Sequence, residues 1–388
     1  MRVALFAETF LPKWDGVTNT TCRLLDHLAH HGHESIMFAP EGAPERYANT
    51  SIVGVRSFTC PVYDDLKLAT LRADIGKEMD AFGPDVVHLV SPALLGLVGM
   101  FRAKRLGIPI VASYHTDVPG YMEKYGLGVL TQPSWVYFRM LHNAADLNVC
   151  PSSFTRKELR EHGFQRVEIW GRGVDTTRFA PEHASEEWRY ILTDGHPEAP
   201  LLVYSGRLAP EKRIDVLRPL LDMQPDVRLA ILGDGPLRGE LETVFRHTNT
   251  VFAGYLEGDA LAAAYASGDV FVFPGEHETF GNVVLEAMAS GLPVVAARRG
   301  GPVDHVFDGD NGFLFEPGRS CELSARVGQI LGDPWFRNHL HRGALRYARS
   351  QTWESVMNGL IEKYQAVIGQ AAADRRPLVS PVPAYPAM

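Results

Sequence analysis

Cysteine, net positive charge and long apolar runs are all scarce in this sequence of 388 residues. The cysteines Cys22, Cys60, Cys150 and Cys321 are far apart and form no Cys-x-x-Cys pair, so neither a zinc site nor a redox pair is predicted. Each is expected to be a small buried apolar residue in a protein of a reducing compartment. The net charge of −8 disfavours broad attraction to nucleic acid.

No apolar run reaches the ~18–20 residues that span a membrane as a helix. The longest candidate, residues 92–100, is too short and is interrupted by glycine. The opening residues MRVALFAETF enter a short apolar strand and lack the parts of a signal peptide. We therefore predict a cytoplasmic protein, and peripheral contact with the cytoplasmic face of the membrane stays an open alternative.

Several motifs of well-known enzyme classes are also absent. The sequence has no Gly-x-Ser-x-Gly and no P-loop. GDGP at 233–236 lacks the third glycine of a dinucleotide fingerprint, and Pro236 suits the first position of a helix, which disfavours an NAD-dependent dehydrogenase. DGD at 308–310 is followed at once by Asn-Gly and predicts a turn instead of a metal site.

What the sequence does contain is a repeated alternation of short apolar runs and amphipathic helices. Runs dense in Val, Ile and Leu, without polar alternation, indicate parallel strands buried on both faces. Such runs predict strands at 2–7, 34–39, 85–90, 109–113, 146–150 and 167–170, and again at 200–205, 227–232, 251–253, 270–273 and 293–297. The helical patterns between them include 18–31, 213–221 and 282–290.

Two such series in one chain predict an α/β protein with two facing doubly wound, Rossmann-like parallel-sheet domains. The predicted domains are residues 1–172 and 173–345. A late helical region starts near residue 338, and its part from 346 to 370 is expected to pack back on the first domain. The proline-rich tail 371–388 is predicted to be disordered.

Ligands of open α/β sheets bind outside the carboxyl ends of the strands, and polar clusters follow two strands of the first domain. Gly16 lets the backbone approach a ligand at the start of a helix, where anions are favoured, although an N-cap by Thr18 or Asn19 also explains this segment. SYHTD at 113–117 follows another strand, and it is interpreted either as a hydrogen-bonded loop or as a group of ligand contacts around His115.

Two cations leave a strand of the second domain in SGRLAPEK at 205–212. Arg207 can hold phosphate oxygens in a fork, and Lys212 adds a point charge just before a helix. The alternative is a solvated loop with a surface pair between Glu211 and Lys212.

A second polar segment runs from 273 to 286, where a strand ends and a helix begins near Gly281. The free N–H groups and the dipole of that helix favour an anion. Glu278 lies in the entry loop, and Glu286 lies inside a small and apolar helix, where a carboxylate needs hydrogen-bond partners such as ribose or sugar hydroxyls. The alternative is a capping carboxylate and an exposed helical glutamate.

Arg207 with Lys212, followed by Glu278-x7-Glu286, resembles the hallmark of the family-four group of retaining GT-B glycosyltransferases. The resemblance covers about residues 1–350. VVHLVSPALLG, TDVPGYMEKYG, GRLAPEK and PGEHETFGNVVLEAMASGLPVVA are similar to GDP-mannose-dependent α-mannosyltransferases that act on glycolipids. SYHTDVP, AYASGDVFVFP and LEAMASGLPVVAARRGG are equally similar to sulfoquinovosyl-diacylglycerol synthases.

The resemblance implies a GT-B fold with the donor site in the cleft and a retaining hexosyl transfer without metal or other cofactor. It implies that Gly16 lies near the diphosphate and the acceptor, that His115 contacts the donor sugar, and that Arg207 and Lys212 hold the diphosphate. Glu278 would hold a sugar hydroxyl and Glu286 the ribose. The implied catalytic set is His115, Arg207, Lys212 and Glu278, and backbone N–H groups at Phe280, Gly281 and Asn282 would support sugar and phosphate.

The acceptor is expected against the first domain, near Tyr114, Asp117, Tyr121, Lys124 and Tyr125. Base contacts are expected around 254–255 and 234–235, and FRAKR at 101–105 is either a contact for anionic lipid headgroups or a solvated helix end. GDP-mannose is the favoured donor and a lipid or glycolipid the favoured acceptor. Two alternatives stay open: a UDP-linked glucosyl or sulfoquinovosyl transfer to diacylglycerol or another lipid, and a nucleotide-sugar binder or epimerase of the same fold.

Overall fold

The computed structural model describes residues 1–60, 63–69, 74–115, 118–124, 128–276 and 278–374. The chain divides into two compact units. Unit 1 comprises Met1–Val149, Gly163–Glu168 and the chain from Asn358 onward. Unit 2 comprises Cys150–His162 and Ile169–Met357.

Unit 1 is built on an eight-stranded sheet in the order β10-β9-β8-β7-β1-β2-β4-β3. Its apolar strands pair in parallel from β9 to β4, as expected for strands covered on both faces, and the short β3 is antiparallel to β4. A separate antiparallel pair is formed by β5 and β6. The strands are β1 Arg2–Ala7, β2 Glu34–Pro40, β3 Arg46–Tyr47, β4 Thr50–Val55, β5 Ser57–Cys60, β6 Tyr63–Ala69, β7 Val86–Val90, β8 Ile110–Ser113, β9 Leu147–Cys150 and β10 Val167–Ile169.

Helices connect these strands and cover the sheet. They are α1 Gly16–His30, α2 Asp74–Phe82, α3 Leu94–Leu106, α4 Val118–Lys124 and α5 Thr131–Ala144, with a 3₁₀ turn at Gly128–Leu130. The N-cap of α1 is Asp15, whose carboxylate accepts hydrogen bonds from the N–H groups of Val17 at 3.0 Å and Thr18 at 2.8 Å. The alternative N-cap by Thr18 or Asn19 is therefore wrong, because Asp15 precedes both and satisfies the first N–H groups of the helix.

Unit 2 is built on six parallel strands in the order β13-β12-β11-β14-β15-β16. Its core includes the fully buried rings of Tyr204, Tyr265, Phe271 and Phe273. The strands are β11 Leu201–Ser205, β12 Arg228–Leu232, β13 Thr250–Gly254, β14 Val270–Phe273, β15 Val294–Ala297 and β16 Gly312–Phe315.

The remaining helices are mostly connections between these strands. They are α6 Ser153–Glu161, α7 Glu186–Leu192, α8 Arg218–Met223, α9 Arg238–Val244, α10 Gly258–Ala266, α11 Asn282–Ala289, α12 Ser320–Gly332, α13 Pro334–Ser350 and α14 Trp353–Asp374. Short 3₁₀ helices lie at Pro181–His183, Pro210–Lys212, Ile214–Leu217 and Gly301–Asp304.

Most of α14 belongs to unit 1, where a buried hydrogen-bond chain joins it to the sheet. The imidazole of His88 on β7 lies 2.5 Å from the Tyr364 hydroxyl and 2.9 Å from the Ser113 hydroxyl at the end of β8. Burial lowers the pKa of His88 to about 3, so this histidine is neutral near pH 7 and its two nitrogens act as one donor and one acceptor.

The strand order of unit 1 reverses between β1 and β7, and a buried carboxyl lies at that point. Glu8 follows β1, is 3% exposed, and accepts hydrogen bonds from the N–H groups of Ala93 at 2.8 Å and Gly96 at 3.0 Å. Burial raises the pKa of Glu8 to about 7 against the lowering effect of these bonds. Glu8 thereby joins the loop after β1 to the first turn of α3.

Every strand predicted from the sequence is present, with ends that differ by at most one residue. The missed strands are β3 to β6 and β16. β4, which pairs with the edge strand β3, alternates between buried and exposed residues, and β16 begins at Gly312, where the Asn-Gly pair predicts a turn. A Cβ atom at Gly312 would lie 2.0 Å from the Val294 carbonyl oxygen, so glycine is needed there for strand pairing.

Three local predictions need correction. The helix at 213–221 is a 3₁₀ turn followed by α8, and the late helical region is divided into α13 and α14. Disorder from residue 371 is wrong for 371–374, because the run of alanines there continues α14 to Asp374, and residues 375–388 lie outside the described chain. Cys22 and Cys150 are buried as predicted, whereas Cys321 in the first turn of α12 is exposed.

None of the helices in the described part of the chain has the length and the apolar character needed to cross a membrane.

Candidate active site

The strand order of unit 2 reverses between β11 and β14, which are neighbours in the sheet. In a doubly wound sheet the loops after such strands separate and leave a crevice for a ligand. The loop after β11 carries Arg207 and Lys212, and the loop after β14 carries Glu278. The topology therefore brings the two charged segments that the sequence singled out to one edge of one sheet.

Lys212 and Glu278 form an ion pair at this edge, with 2.5 Å between Nζ and Oε2. Their side chains are 18% and 24% exposed, so both are partly shielded from water. An ammonium group has three N–H donors. Lys212 can therefore bind Glu278 and an oxygen of a phosphate at the same time, and the surface pair with Glu211 that the sequence left open is not needed to explain it.

The loop that carries Arg207 is fixed by the loop after β12. A Cβ atom at Gly233 would lie 2.1 Å from the Gly206 carbonyl oxygen, and one at Gly235 would lie 2.4 Å from the Leu208 carbonyl oxygen. These two glycines thus allow close contact between the two loop backbones. The Arg207 side chain is exposed, which leaves its guanidinium open to a ligand.

Helix α11 begins at this edge with a sharp turn. Gly281 is its N-cap, with φ of +92°, a conformation that favours glycine. Phe280 is buried, and its ring lies 4.5 Å from the His305 ring. Within the described chain, the buried Oδ1 atom of Asn282 has no hydrogen-bond partner. An unsatisfied acceptor beside the N–H groups of a helix start can accept a ligand hydroxyl.

Glu286 lies one turn further along α11 and contacts α10. The Tyr265 hydroxyl donates a hydrogen bond to Oε2 of Glu286 at 3.2 Å. Burial raises the pKa of Glu286 to about 7, while the bond from Tyr265 and the charge of Arg178 lower it. A carboxylate with so little hydration favours further hydroxyl donors, which a ribose can supply. The alternative of an exposed helical glutamate is therefore wrong.

The predicted site residues of unit 1 have different surroundings. Gly16 is the first residue of α1, and His115 follows β8 and is 7% exposed. Tyr114 is 3% exposed and its ring is stacked at 6.5 Å from Trp135. This burial gives Tyr114 a packing role and leaves little of its side chain to contact an acceptor.

The other residues of the predicted acceptor region are not described as side chains. Asp117 and Tyr125 lie outside the described residues, and Tyr121 and Lys124 lie on α4 with side chains outside them. The acceptor contacts stay predictions. Of the predicted base contacts, Tyr255 follows β13 and is 73% exposed, and Asp234 is 3.2 Å from the Arg238 guanidinium.

Sequence reasoning missed Tyr265 and a second ion-pair group beside Lys212 and Glu278. Glu276 lies between Arg213 and Arg299 in this group. The Gly-Gly pair at 300–301 after a strand was a usable signal of close backbone contact. The partners themselves are distant in sequence and give no local pattern. Among the described residues, no cluster of three His, Cys, Asp or Glu side chains suits a metal ion.

Comparison with known proteins defines the class of this molecule. Residues 14–178 match the family described as Glycosyltransferase Family 4, and residues 199–333 match Glycosyl transferases group 1. Sucrose-phosphate synthase from Thermosynechococcus elongatus superposes with a TM-score of 0.76 at 20% identity, over 95% of this chain and 99% of that one. Anabaena HepE in complex with UDP and glucose gives 0.72 at 19% identity, over 94% and 100%.

Two curated relatives share much more sequence. A GDP-mannose-dependent alpha-mannosyltransferase of Mycolicibacterium smegmatis is 43% identical over 95% of this chain and 98% of its own length. Sulfoquinovosyl transferase SQD2 of Arabidopsis thaliana is 39% identical over 95% of this chain and 74% of its own length. The chain belongs to the family-four glycosyltransferases and is a hexosyltransferase. The prediction of two doubly wound, parallel-sheet domains of the GT-B class is confirmed.

Proposed function

We propose that this enzyme transfers a mannosyl group from GDP-mannose to a lipid or glycolipid acceptor, with retention, and forms an α-glycosidic bond. The observation that carries this proposal is the Lys212–Glu278 ion pair at the point where the strand order of unit 2 reverses. Arg207 lies on the same loop as Lys212, and Glu286 lies on the helix that follows Glu278. Relatives at 43%, 41% and 36% identity named GDP-mannose-dependent alpha-mannosyltransferases support the choice of donor.

Arg207 and Lys212 neutralise the diphosphate of the donor. When the bond between the sugar and the phosphate breaks, negative charge grows on the leaving diphosphate, and two fixed cations stabilise that charge. Arg207 binds oxygens in a fork, and Lys212 binds as a point charge held by Glu278. This supply of positive charge supports a reaction without a metal ion, and we propose that the enzyme needs no metal or other cofactor.

Glu278, the start of α11 and Glu286 orient the rest of the donor. The carboxylate of Glu278 accepts a sugar hydroxyl, the backbone N–H groups from Phe280 to Asn282 support sugar and phosphate, and Glu286 accepts ribose hydroxyls. We propose front-face departure, in which the leaving phosphate oxygen takes the proton of the acceptor hydroxyl through an oxocarbenium-like state. The prediction that His115 contacts the donor sugar is part of this proposal and is tested by the kinetics of His115→Ala.

The second candidate function is glucosyl or sulfoquinovosyl transfer from a UDP-linked donor to diacylglycerol or another lipid. Sequence likeness favours it almost as much, since SQD2 is 39% identical over 95% of this chain. Both candidates use the same diphosphate and ribose contacts. The two candidate donors differ in the base and in the sugar, so comparing the binding of GDP with that of UDP is the quickest way to distinguish the candidate functions. An epimerase would release a changed sugar nucleotide without any acceptor.

Nucleotide titration by calorimetry is the first test. We expect GDP to bind at least about tenfold more tightly than UDP, since one good hydrogen-bond difference in the base site is worth about that much. EDTA is expected to leave the GDP affinity and the transfer rate unchanged. Tighter binding of UDP would move the proposal to the second candidate. Binding of neither nucleotide would contradict both.

We also propose that the enzyme works in the cytoplasm at the membrane surface, where a lipid acceptor resides. FRAKR at 101–105 is the end of α3, with Phe101 69% exposed and Arg102 paired with Asp80. Lys104, Arg105 and Leu106 are exposed as well, so apolar and basic side chains meet at this helix end. Flotation of the enzyme with anionic and with neutral vesicles tests this proposal. An enzyme that floats with neither kind of vesicle would contradict it.

A further inference from the structure

Glu276 lies two residues before Glu278, and its carboxylate joins two arginines. Oε1 is 3.1 Å from Nη1 of Arg213, and Oε2 is 3.7 Å from Nη1 of Arg299. The Glu276 side chain is 15% exposed, whereas the arginine side chains are 43% and 47% exposed. A carboxylate with so little hydration depends on its counter-charges. The three side chains therefore form one fixed group, which we call the Glu276 cluster.

The first arm of the Glu276 cluster reaches the chain neighbour of Lys212. Arg213 has φ of +48°, in the left-handed region that residues with a side chain rarely adopt. It ends the 3₁₀ helix Pro210–Lys212 and precedes the next one, so the chain direction changes there. Such a backbone persists where the surroundings hold it. The ion pair with Glu276 holds it against the segment that carries Glu278.

The second arm supports the backbone of Glu278 itself. Arg299 precedes Gly300 and Gly301, and the N–H of Gly301 donates to the Glu278 carbonyl oxygen at 2.7 Å. A Cβ atom at Gly300 would lie 2.5 Å from that oxygen, and one at Gly301 would lie 2.2 Å from the Phe280 carbonyl oxygen. The segment from 299 to 301 is thus in direct contact with the backbone of Glu278 and Phe280, and the ion pair of Arg299 joins this segment to Glu276.

We propose that the Glu276 cluster holds Lys212 and Glu278 in the relative positions that donor binding requires. The proposal rests on the proposed function, because it concerns the same donor site. Lysine is a point charge on a flexible stem, so its value to a diphosphate depends on where its backbone is held. Misplacement of a binding group by about 1 Å can lower a rate about 10²-fold.

Glu276→Gln tests this, because it keeps the size of the side chain and removes the charge that both arginines share. We expect the GDP dissociation constant and the donor KM to rise about tenfold, and kcat to fall by a similar factor. Arg213→Gln is expected to give a similar loss. The double variant Glu276→Gln with Arg213→Gln should be no worse than the more impaired single variant, because Arg213 affects the donor site through its contact with Glu276, which the single variant Glu276→Gln already removes.

Glu316→Gln is the matched control. Glu316 pairs at 3.1 Å with Arg298, the neighbour of Arg299, so this variant removes an ion pair of the same type from the same segment. It should change the GDP dissociation constant and kcat by less than about twofold. If Glu276→Gln does not fold, Arg299→Gln at the more exposed end replaces it, with an expected rise in the GDP dissociation constant of at least about threefold.

The outcomes separate this inference from the proposed function. If the wild-type enzyme binds GDP and transfers sugar while Glu276→Gln matches it within about twofold, the positioning role is wrong and the proposed function stands. Losses that add fully in the double variant also overturn it, because they indicate independent effects on stability. If the wild-type enzyme neither binds a nucleotide nor transfers sugar, the proposed function fails and the inference fails with it.

Discussion

Lys212→Ala is expected to lower kcat about 10²- to 10³-fold, which is the usual result of removing one fixed group that stabilises charge in a transition state. Lys212 is the cation that contacts Glu278, so its loss also leaves a partly buried carboxylate without its counter-charge next to the diphosphate. Because the charge on the leaving diphosphate grows in the transition state, kcat should fall more than the donor KM rises.

Steady-state kinetics with purified Lys212→Ala measure this effect. Lys157→Ala is the control, because Lys157 on α6 is 78% exposed in a surface pair with Glu161 and plays no part in the proposed site. The melting temperature of Lys212→Ala should fall by no more than a few degrees, since the Glu278 side chain is 24% exposed and water can hydrate its carboxylate once Lys212 is removed. A kcat/KM within twofold of wild type would remove Lys212 from the donor site.

Glu286→Gln is expected to make the folded protein more stable at high pH and to weaken its binding of GDP. Burial raises the pKa of Glu286 to about 7 in the folded protein, above its ordinary value of 4.5, so the folded protein binds more protons than the unfolded chain between these two pH values. Stability therefore falls as the pH rises from about 4.5 through 7, and the ionised carboxylate is unfavourable above that range. The raised pKa of Glu286 corresponds to a loss of about 3 kcal/mol in the free energy of unfolding at high pH. Allowing for residual solvent screening, the expected loss is roughly 2 kcal/mol.

Glutamine carries no such charge, so Glu286→Gln should be more stable than wild type at pH 8 by about 1–2 kcal/mol, and the difference should vanish near pH 5. The pKa of Glu8 is also raised by burial, so Glu8 contributes to the pH dependence of stability as well. Because Glu8 is present in both the wild-type protein and Glu286→Gln, the difference in stability between them reports on Glu286. The measurement is denaturant unfolding at both pH values, with the exposed Glu240→Gln on α9 as control.

The same substitution is expected to weaken the binding of GDP. A carboxylate accepts ribose hydroxyls more strongly than an amide does, so the GDP dissociation constant of Glu286→Gln is expected to rise about 10- to 100-fold. In the wild-type enzyme, GDP binding favours the ionised form, so affinity should fall below pH 7 by at most about tenfold per pH unit. A variant that is less stable at pH 8, or that binds GDP as tightly as wild type, would contradict this account.

The parts of the site that sequence could predict are those set by local chemistry. Arg207, Lys212, Glu278 and Glu286 follow apolar runs that end at clear boundaries, and parallel strands place all such ends at one edge of a sheet. The apolar pattern also located eleven strands with ends that differ by at most one residue. It failed at β4, which is partly exposed beside the edge strand β3, and at β16, where glycine is needed for strand pairing and does not form a turn.

The partners of these residues could not be predicted in the same way. Tyr265 lies in the alanine-rich α10, 21 positions before Glu286, and the two meet only because α10 and α11 pack together. Glu276, Arg213 and Arg299 come from three separate loops. Ion pairs of this kind depend on tertiary packing, and each residue alone has the sequence context of an ordinary solvated charge.

The most direct test of the whole account is a transfer assay with purified enzyme, labelled donors and a lipid extract, with EDTA present. We expect label from GDP-mannose to enter the lipid fraction as an α-linked mannose by NMR, with little or no transfer from UDP-glucose or UDP-sulfoquinovose. Transfer from a UDP-linked donor alone would contradict the assignment of the sugar. Conversion of the donor without any labelled acceptor would contradict the proposed transfer itself.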